Sequence, residues 1–345
     1  DSDLSNMKKL TRLRCLDLAD ATFQALPSSF LSGQQTIKEI TLPESCKAIP
    51  SSAFNNCQRL EKVNAAGIEH IDYSAFYNCY KLVDFDISKG TYIGSEAFCN
   101  CKMFTPAALS DVLQTLGSSA FKGTAITEIA VPQTITTLEN NVFSGCQQLQ
   151  KVTLPATLRT IGSNTFENCT ALSEIVVPES VTSIGNYAFS GCQALSSITL
   201  PETLTKIGSY AFSGCSALTE LTIPSSVEDF GYSTLQNCTS LLTVKCKAIV
   251  PPLATGSFTG GMDLNHSTLY IAPFTIDAYR DAQYWNEFYI MKPLNEPVKN
   301  IYVKRPMTFD LQSEDNAVLQ DNPNMTLDYY IDNYNWGSNS KHSVG

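Results

Sequence analysis

Charge is scarce in this chain. Asp, Glu, Lys and Arg make up 16% of its 345 residues, and acids outnumber bases by 33 to 23, leaving a net charge of −10. No strongly basic surface can be built from that balance, which argues against nucleic acid and anionic membrane as partners. Long hydrophobic runs are lacking too, and no apolar stretch reaches the roughly 20 residues of a membrane-spanning helix. Histidine is rare: the three are His70, His266 and His342. None lies in a pattern that would pair it with a Ser or Cys nucleophile, and His70 reads as a solvated turn residue. No H-E-x-x-H, G-x-S-x-G, Walker-type or dinucleotide-binding motif occurs. The dispersed carboxylates offer no general acid–base pair. This reading expects no enzyme activity, catalytic residue, cofactor or metal. The chain also lacks an initiator Met at Asp1, which suggests a removed leader and export.

What is abundant is repetition. The stretch Leu195–Cys215, LSSITLPETLTKIGSYAFSGC, recurs along the chain with a Phe landmark at Phe54, Phe76, Phe98, Phe121, Phe143, Phe166, Phe189 and Phe212. Phe30 precedes the series, and Leu235 and Phe258 continue it, at spacings of 22 to 24 residues. A fixed period of this size marks a solenoid, in particular one of leucine-rich repeats. Within one copy, Ile198 and Leu200 alternate with Thr199, which suits a short strand with two apolar residues inward. Pro201 ends the strand because it has no N–H for the ladder, and Gly208 marks a tight bend. Two places after the landmark come Asn56, Asn78, Asn100, Gly123, Gly145, Asn168, Gly191, Gly214, Asn237 and Gly260. Only Gly, and less often Asn, routinely adopts positive φ, so a left-handed residue is expected there in every coil.

Eight of the twelve cysteines share one repeat position: Cys57, Cys79, Cys101, Cys146, Cys169, Cys192, Cys215 and Cys238. Stacked side chains point the same way, so their Cβ atoms stay near the strand spacing rather than the roughly 3.8 Å of a disulfide. They are expected to be buried free thiols that pack as small hydrophobes. Cys46 and Cys246 fall on core positions. Cys15 and Cys99 fall outside the pattern and are candidates for exposure. Cys99 and Cys101 are too few and too close for a zinc site.

The chain divides at about residue 290. Residues 1–290 form the solenoid, beginning in a degenerate coil in which Leu26-Pro27 and Phe30 replace the usual Ile-Gly and Phe. A turn of helix near Met7–Leu10 covers the N-terminal end. Leu269–Ile271 is the last strand. Residues 274–290 then read as a capping helix, with Thr275 as N-cap, Asp277 in the first turn, and Ile276, Tyr279, Ala282, Trp285 and Phe288 on one face. Residues 291–345 no longer repeat. They read as a β-rich extension or the start of a further domain, in which Asp328, Asp332 and Asn333 are a weak calcium pattern without EF-hand spacing.

A solenoid usually works through its sheet face. The outward slots there place Glu39, Lys62, Asp84, Ala108, Glu128, Ala130, Lys151, Thr153, Glu174, Val176, Ser197, Thr199, Glu220 and Thr222 on one surface, with Pro106 on the outer side of the irregular coil at Phe104. Glu39/Lys62/Asp84 and Glu128/Lys151/Glu174 form opposite-charge ladders that avoid like-charge contact between parallel neighbours. Ala108, Ala130 and Val176 make a patch of small unpaired side chains suited to binding.

The full pattern, L-x-x-I-x-L-P-x-x-V/L-x-x-I-G-x-x-A-F-x-G/N-C, resembles the BspA-like class of bacterial leucine-rich repeats over roughly residues 10–290. Leu172–Cys192 and Leu195–Cys215 match it at nearly every defining position. The resemblance implies an α/β solenoid, a right-handed superhelix of about 11–12 coils of ~23 residues, mostly β and irregular, with a parallel sheet on one face and a C-terminal cap. It further implies an exported bacterial protein, at the cell surface or secreted. Such a protein would be a monomer without membrane insertion, binding an extracellular host protein or glycan through the sheet face. The alternatives are a spacer presenting a C-terminal domain and a carbohydrate-recognition module centred on Tyr284-Trp285.

Overall fold

The computed structural model describes residues 7–23, 25–256 and 260–294. Phe258, His342, the calcium pattern of Asp328, Asp332 and Asn333, and residues 295–345 of the C-terminal extension lie outside them. The described chain winds through about 12 turns of parallel-strand β-solenoid with almost no helix. Each regular turn supplies two strands. The first, of three or four residues, is the expected one: Glu39–Thr41, Lys62–Asn64, Glu128–Ala130, Lys151–Thr153, Glu174–Val176, Ser197–Thr199, Glu220–Ile223, Thr243–Cys246 and Thr268–Ile271. Its middle residue points inward and its flanks outward, as in the exposed–buried–exposed order of Glu174, Ile175 and Val176. The second strand is only two residues long, as at Ser183–Ile184 and Lys206–Ile207, and its apolar residue is buried. The expected parallel sheet on one face is present, and a second ladder of dipeptide strands runs along the stack beside it. A dipeptide strand leaves no alternation in the sequence to reveal it.

Packing between turns is carried by columns of identical side chains. Eight rings from Phe54 to Phe212 stack in series, with centroids 5.2 to 6.0 Å apart and planes within 15° of parallel. Beside them runs the thiol column, buried and without disulfides. The thiols do more than fill space. Each donates to the landmark carbonyl of the preceding turn, as Cys79 Sγ to Phe54 O at 3.0 Å and Cys192 Sγ to Phe166 O at 3.1 Å. Two turns use substitutes in this slot: Gln34, whose amide donates to Leu10 O at 2.8 Å, and Thr124, whose hydroxyl donates to Phe121 O at 2.9 Å. Cys46 and Cys246 are buried and Cys15 exposed, whereas Cys99 is buried, against the expectation. The longer Tyr77 and Lys122 occupy the same slot on either side of it, as the bonds from Asn78 N to Cys99 O and from Asn100 N to Lys122 O place them.

The turn around the landmark has a backbone logic of its own. The Asn/Gly slot is left-handed at nine of its ten expected positions, for example Asn56 at φ 58° and Gly214 at φ 74°. In the last turn the slot moves by one, to Gly261 at φ 87°. A second left-handed residue lies two places before the landmark from the first turn to that of Leu235: Ser29, Ser52, Ser74, Glu96, Ser119, Asn141, Asn164, Tyr187, Tyr210 and Ser233. The pair aligns three N–H groups along the stack, so Ser119, Phe121 and Gly123 donate to Asn140, Val142 and Ser144 of the next turn at 2.9, 3.0 and 2.8 Å. This pattern also re-registers the first coil. Leu31 N donates to Ala53 O and Gly33 N to Asn55 O, so Leu31 rather than Phe30 holds the landmark slot. Phe30 meets Phe54 edge-on at 77° instead of stacking.

Both strand ladders break at the irregular coil, and the front ladder is interrupted again between Thr153 and Glu174 and between Thr199 and Glu220. Residues 105–109 form no strand, and Pro106 is buried rather than on the outer side. A proline cannot donate to the ladder. Asp84 joins the front by a single bridge to Lys62, and Thr115–Leu116 does not pair with Thr137–Leu138. The turn-side bonds of Ser119, Phe121 and Gly123 cross this gap and keep the stack continuous.

At the C-terminal end the helix is shorter than expected, Ile276–Asp281, followed by a single 3-10 turn at Trp285–Glu287. It stops where Ala282 becomes extended and Tyr284 turns left-handed at φ 71°. Thr275 does not cap it; its hydroxyl donates backwards to Ala272 O at 2.7 Å. Tyr279, Trp285 and Phe288 are nonetheless buried. Tyr279 Oη donates to Ala248 O at 2.8 Å and Trp285 Nε1 to Pro252 O at 2.8 Å. The chain then re-enters the front ladder as Ile290–Pro293, paired with Thr268–Ile271. Leu269–Ile271 is therefore not the last strand, and the expected boundary at 290 falls within one.

Candidate functional site

The front face is assembled from the flanks of the first strands, and the register fixes who meets whom. Glu39 lies beside Lys62, Glu128 beside Lys151, Glu174 beside Ser197 and Glu220 beside Thr243. All are exposed or half-buried, as are Thr153, Thr199 and Thr222. The charge ladder forms in part. Lys62 Nζ reaches Asp84 Oδ2 at 3.1 Å, while Glu39 Oε1 accepts from Asn64 Nδ2 at 2.8 Å instead of pairing with Lys62. Lys151 makes no ion pair with either Glu128 or Glu174. An unforeseen pair joins Lys245 Nζ to Glu220 Oε1 at 2.8 Å.

The expected patch of Ala108, Ala130 and Val176 does not hold together. Ala108 sits in the strandless segment, with Ala107 beside it also exposed. Ala130 and Val176 remain on regular strands, and Val176 is 69% exposed, with Thr153 on the strand between them. The front thus presents a mixed-charge surface from Glu128 to Thr222 with one exposed valine at its middle.

Two features sequence reasoning missed bear on chemistry. His70 is a strand residue rather than a turn residue. Its ring stacks on Tyr92 at 4.2 Å, and its Nε2 lies 2.9 Å from Asp72 Oδ1. Tyr187 and Tyr210 occupy the second left-handed slot and stack at 4.6 Å, with Tyr232 edge-on to Tyr210 at 5.4 Å. The sign was present in the sequence: Tyr stands twice in a slot that elsewhere holds mostly Ser or Asn. The Tyr284-Trp285 platform, by contrast, is closed, because Trp285 is 1% exposed.

The thiols are held inert by their surroundings. Burial raises every titrating column thiol for which a shift is seen; Cys192 and Cys238 are pushed up to about 12 and Cys146 to about 11. A protonated thiol is neither a nucleophile nor a metal ligand. Among the described residues no three His, Cys, Asp or Glu side chains converge to hold a metal ion. No helix among them is long and apolar enough to cross a membrane.

Comparison with known proteins agrees with this architecture. A family model for the BspA type leucine rich repeat region matches residues 24–150 and 138–265, in six copies. The chain is similar to a leucine-rich repeat protein from Bacteroides ovatus, with 22% identity, a TM-score of 0.61, and 83% of this chain and 70% of that one covered. It is also similar to a leucine rich cell surface protein from Faecalibacterium prausnitzii (19% identity, TM-score 0.45, 82% and 88% covered). The pneumococcal vaccine antigen PcpA is a third similar structure (18% identity, TM-score 0.46, 76% and 78% covered). Among curated proteins, none matches the chain.

Proposed function

The chain belongs to the BspA type leucine-rich repeat family, and from that premise we propose that it is an exported, non-catalytic scaffold that binds an extracellular protein through its front face. The observation that carries this reading is the surface between Glu128 and Thr222. It carries Glu128, Lys151, Glu174 and Glu220 on its outward slots, leaves Lys151 without an ion pair, and sets Val176 proud at 69% exposure between Thr153 and Thr199. An exposed apolar side chain among polar neighbours, with charge of either sign nearby, is the composition of a protein-recognition patch. Family membership supports a location at the cell surface. The aromatic platform at Trp285 loses its support because that ring is buried. The test is an array of extracellular host proteins and glycans probed with the whole chain. Capture of a protein, abolished by Lys151→Glu and by Val176→Arg but not by Lys247→Glu, is the expected result. Silence on the whole array, or capture indifferent to Lys151 and Val176, defeats the reading.

A further inference from the structure

A second candidate surface lies on the turn side, away from the front strands. Tyr187 and Tyr210 both stand at φ 57°. For an aromatic L-residue this is a strained backbone, found where the surroundings or a function demand it. The same slot in other turns holds Ser52, Ser74, Ser119, Asn141, Asn164 and Ser233, residues that bear a left-handed backbone or a tight turn more easily. Stacking of the two rings offsets part of the strain, but the pair is not sealed into the core. Tyr187 is 37% exposed and Tyr232 45%, with Tyr210 half-buried between them. The same slot in the preceding turn holds the shorter Asn164.

The surroundings of the rings are uncharged. The three turn segments that carry the tyrosines, Asn186–Gly191, Ser209–Gly214 and Tyr232–Asn237, contain no charged residue. Of the six matching segments from Phe54 to Phe166, three are uncharged as well and three contain Glu96, Lys122 or Glu167. Ser190, Ser213 and Gln236 at their landmark-plus-one positions supply hydroxyl and amide groups instead. We infer that Tyr187, Tyr210 and Tyr232 form a binding site for a neutral carbohydrate. Pyranose C–H faces lie against the phenol rings, and sugar hydroxyls exchange hydrogen bonds with the neighbouring Ser and Gln side chains. Flat apolar rings framed by uncharged donors and acceptors match the two faces of a sugar ring, and the lack of charge selects against acidic glycans. The site is independent of the front-face reading, because its residues lie in other segments of each turn.

The test titrates the whole chain with neutral oligosaccharides of gluco-, galacto-, manno- and N-acetylglucosamine type, in α and β linkage, following tyrosine fluorescence. Tyr187→Asn and Tyr210→Asn install the residue that neighbouring turns carry, so the fold is kept. Thermal melting reads the strain separately. The expected result is binding of at least one neutral glycan by the wild type, weakened about tenfold or more by each substitution and unchanged by Lys151→Glu, with a melting temperature equal to or above that of the wild type. Failure of the wild type to bind any neutral glycan overturns the inference. So does equal binding by the double variant, or capture through these tyrosines of acidic glycans or proteins alone.

Discussion

Raising the pH from 7.5 to 10 should unfold this protein, and the thiol column says by how much. Nine buried thiols, Cys57, Cys79, Cys99, Cys146, Cys169, Cys192, Cys215, Cys238 and Cys246, are raised well above the ordinary 9.0, the least shifted to about 11. The first cause in each is burial, which disfavours the thiolate. Well below pH 9 both folded and unfolded chains keep these protons, so nothing is lost. Between pH 9 and the folded values, the unfolded chain releases protons that the folded chain retains, and stability falls as pH rises. At pH 10 each thiol has lost roughly 1 kcal/mol, and nine together on the order of 10 kcal/mol, comparable to the whole stability of an ordinary domain. The assay is a urea titration followed by circular dichroism at pH 7.5, 9, 9.5 and 10, with reductant present. A midpoint already lower at pH 9 than at pH 7.5, and collapsing by pH 10, is expected. Cys192→Ser adds a sharper arm, since its hydroxyl keeps a donor for Phe166 O and does not titrate. Its deficit at pH 7.5 should shrink by about 1 kcal/mol at pH 10. Stability at pH 10 within about 2 kcal/mol of that at pH 7.5 would refute burial as the cause.

Two further outcomes follow from the backbone. Gly231→Ala should cost more than Gly145→Ala, although only Gly145 has positive φ, at 72°. A Cβ on Gly231 meets Ser209 N at 2.2 Å, whereas on Gly145 the nearest atom is 3.8 Å away; the expected losses are above ~3 and about 1–2 kcal/mol by urea titration, and the reverse order defeats the close-approach reading. In hydrogen exchange followed by mass spectrometry, the amides of Thr105, Ala107, Ala108 and Leu109 should exchange far ahead of Phe121 and Gly123, because the former make no bond to a neighbouring turn. Equal protection would mean the front ladder is whole there.

What the sequence disclosed was whatever a side chain must do. The stacked Phe rings, the thiol column and the left-handed Asn/Gly slot each demand a residue type, so they recur visibly. What it concealed was structure that backbone alone carries. The second left-handed slot accepts Ser, Asn, Glu and Tyr alike, so no letter marks it. The second ladder is too short for alternation. Gly208 was legible as a bend, but its φ is ordinary; a Cβ there would lie 2.5 Å from Gly185 C, a contact between turns that periodicity cannot show. The front-face residues were legible as a surface. The loss of Ala108 from it was not, since it depends on Pro106 turning inward.

The continuous, sealed stack is tested most directly by counting reactive thiols. With reductant removed, a thiol-reactive chromogenic disulfide at pH 8 should label one thiol per chain in the native protein, Cys15, because the other eleven are buried and free. In about 6 M guanidinium, enough to unfold most domains, it should label all twelve. Labelling of several thiols in the native state, or fewer than twelve after unfolding, would contradict it.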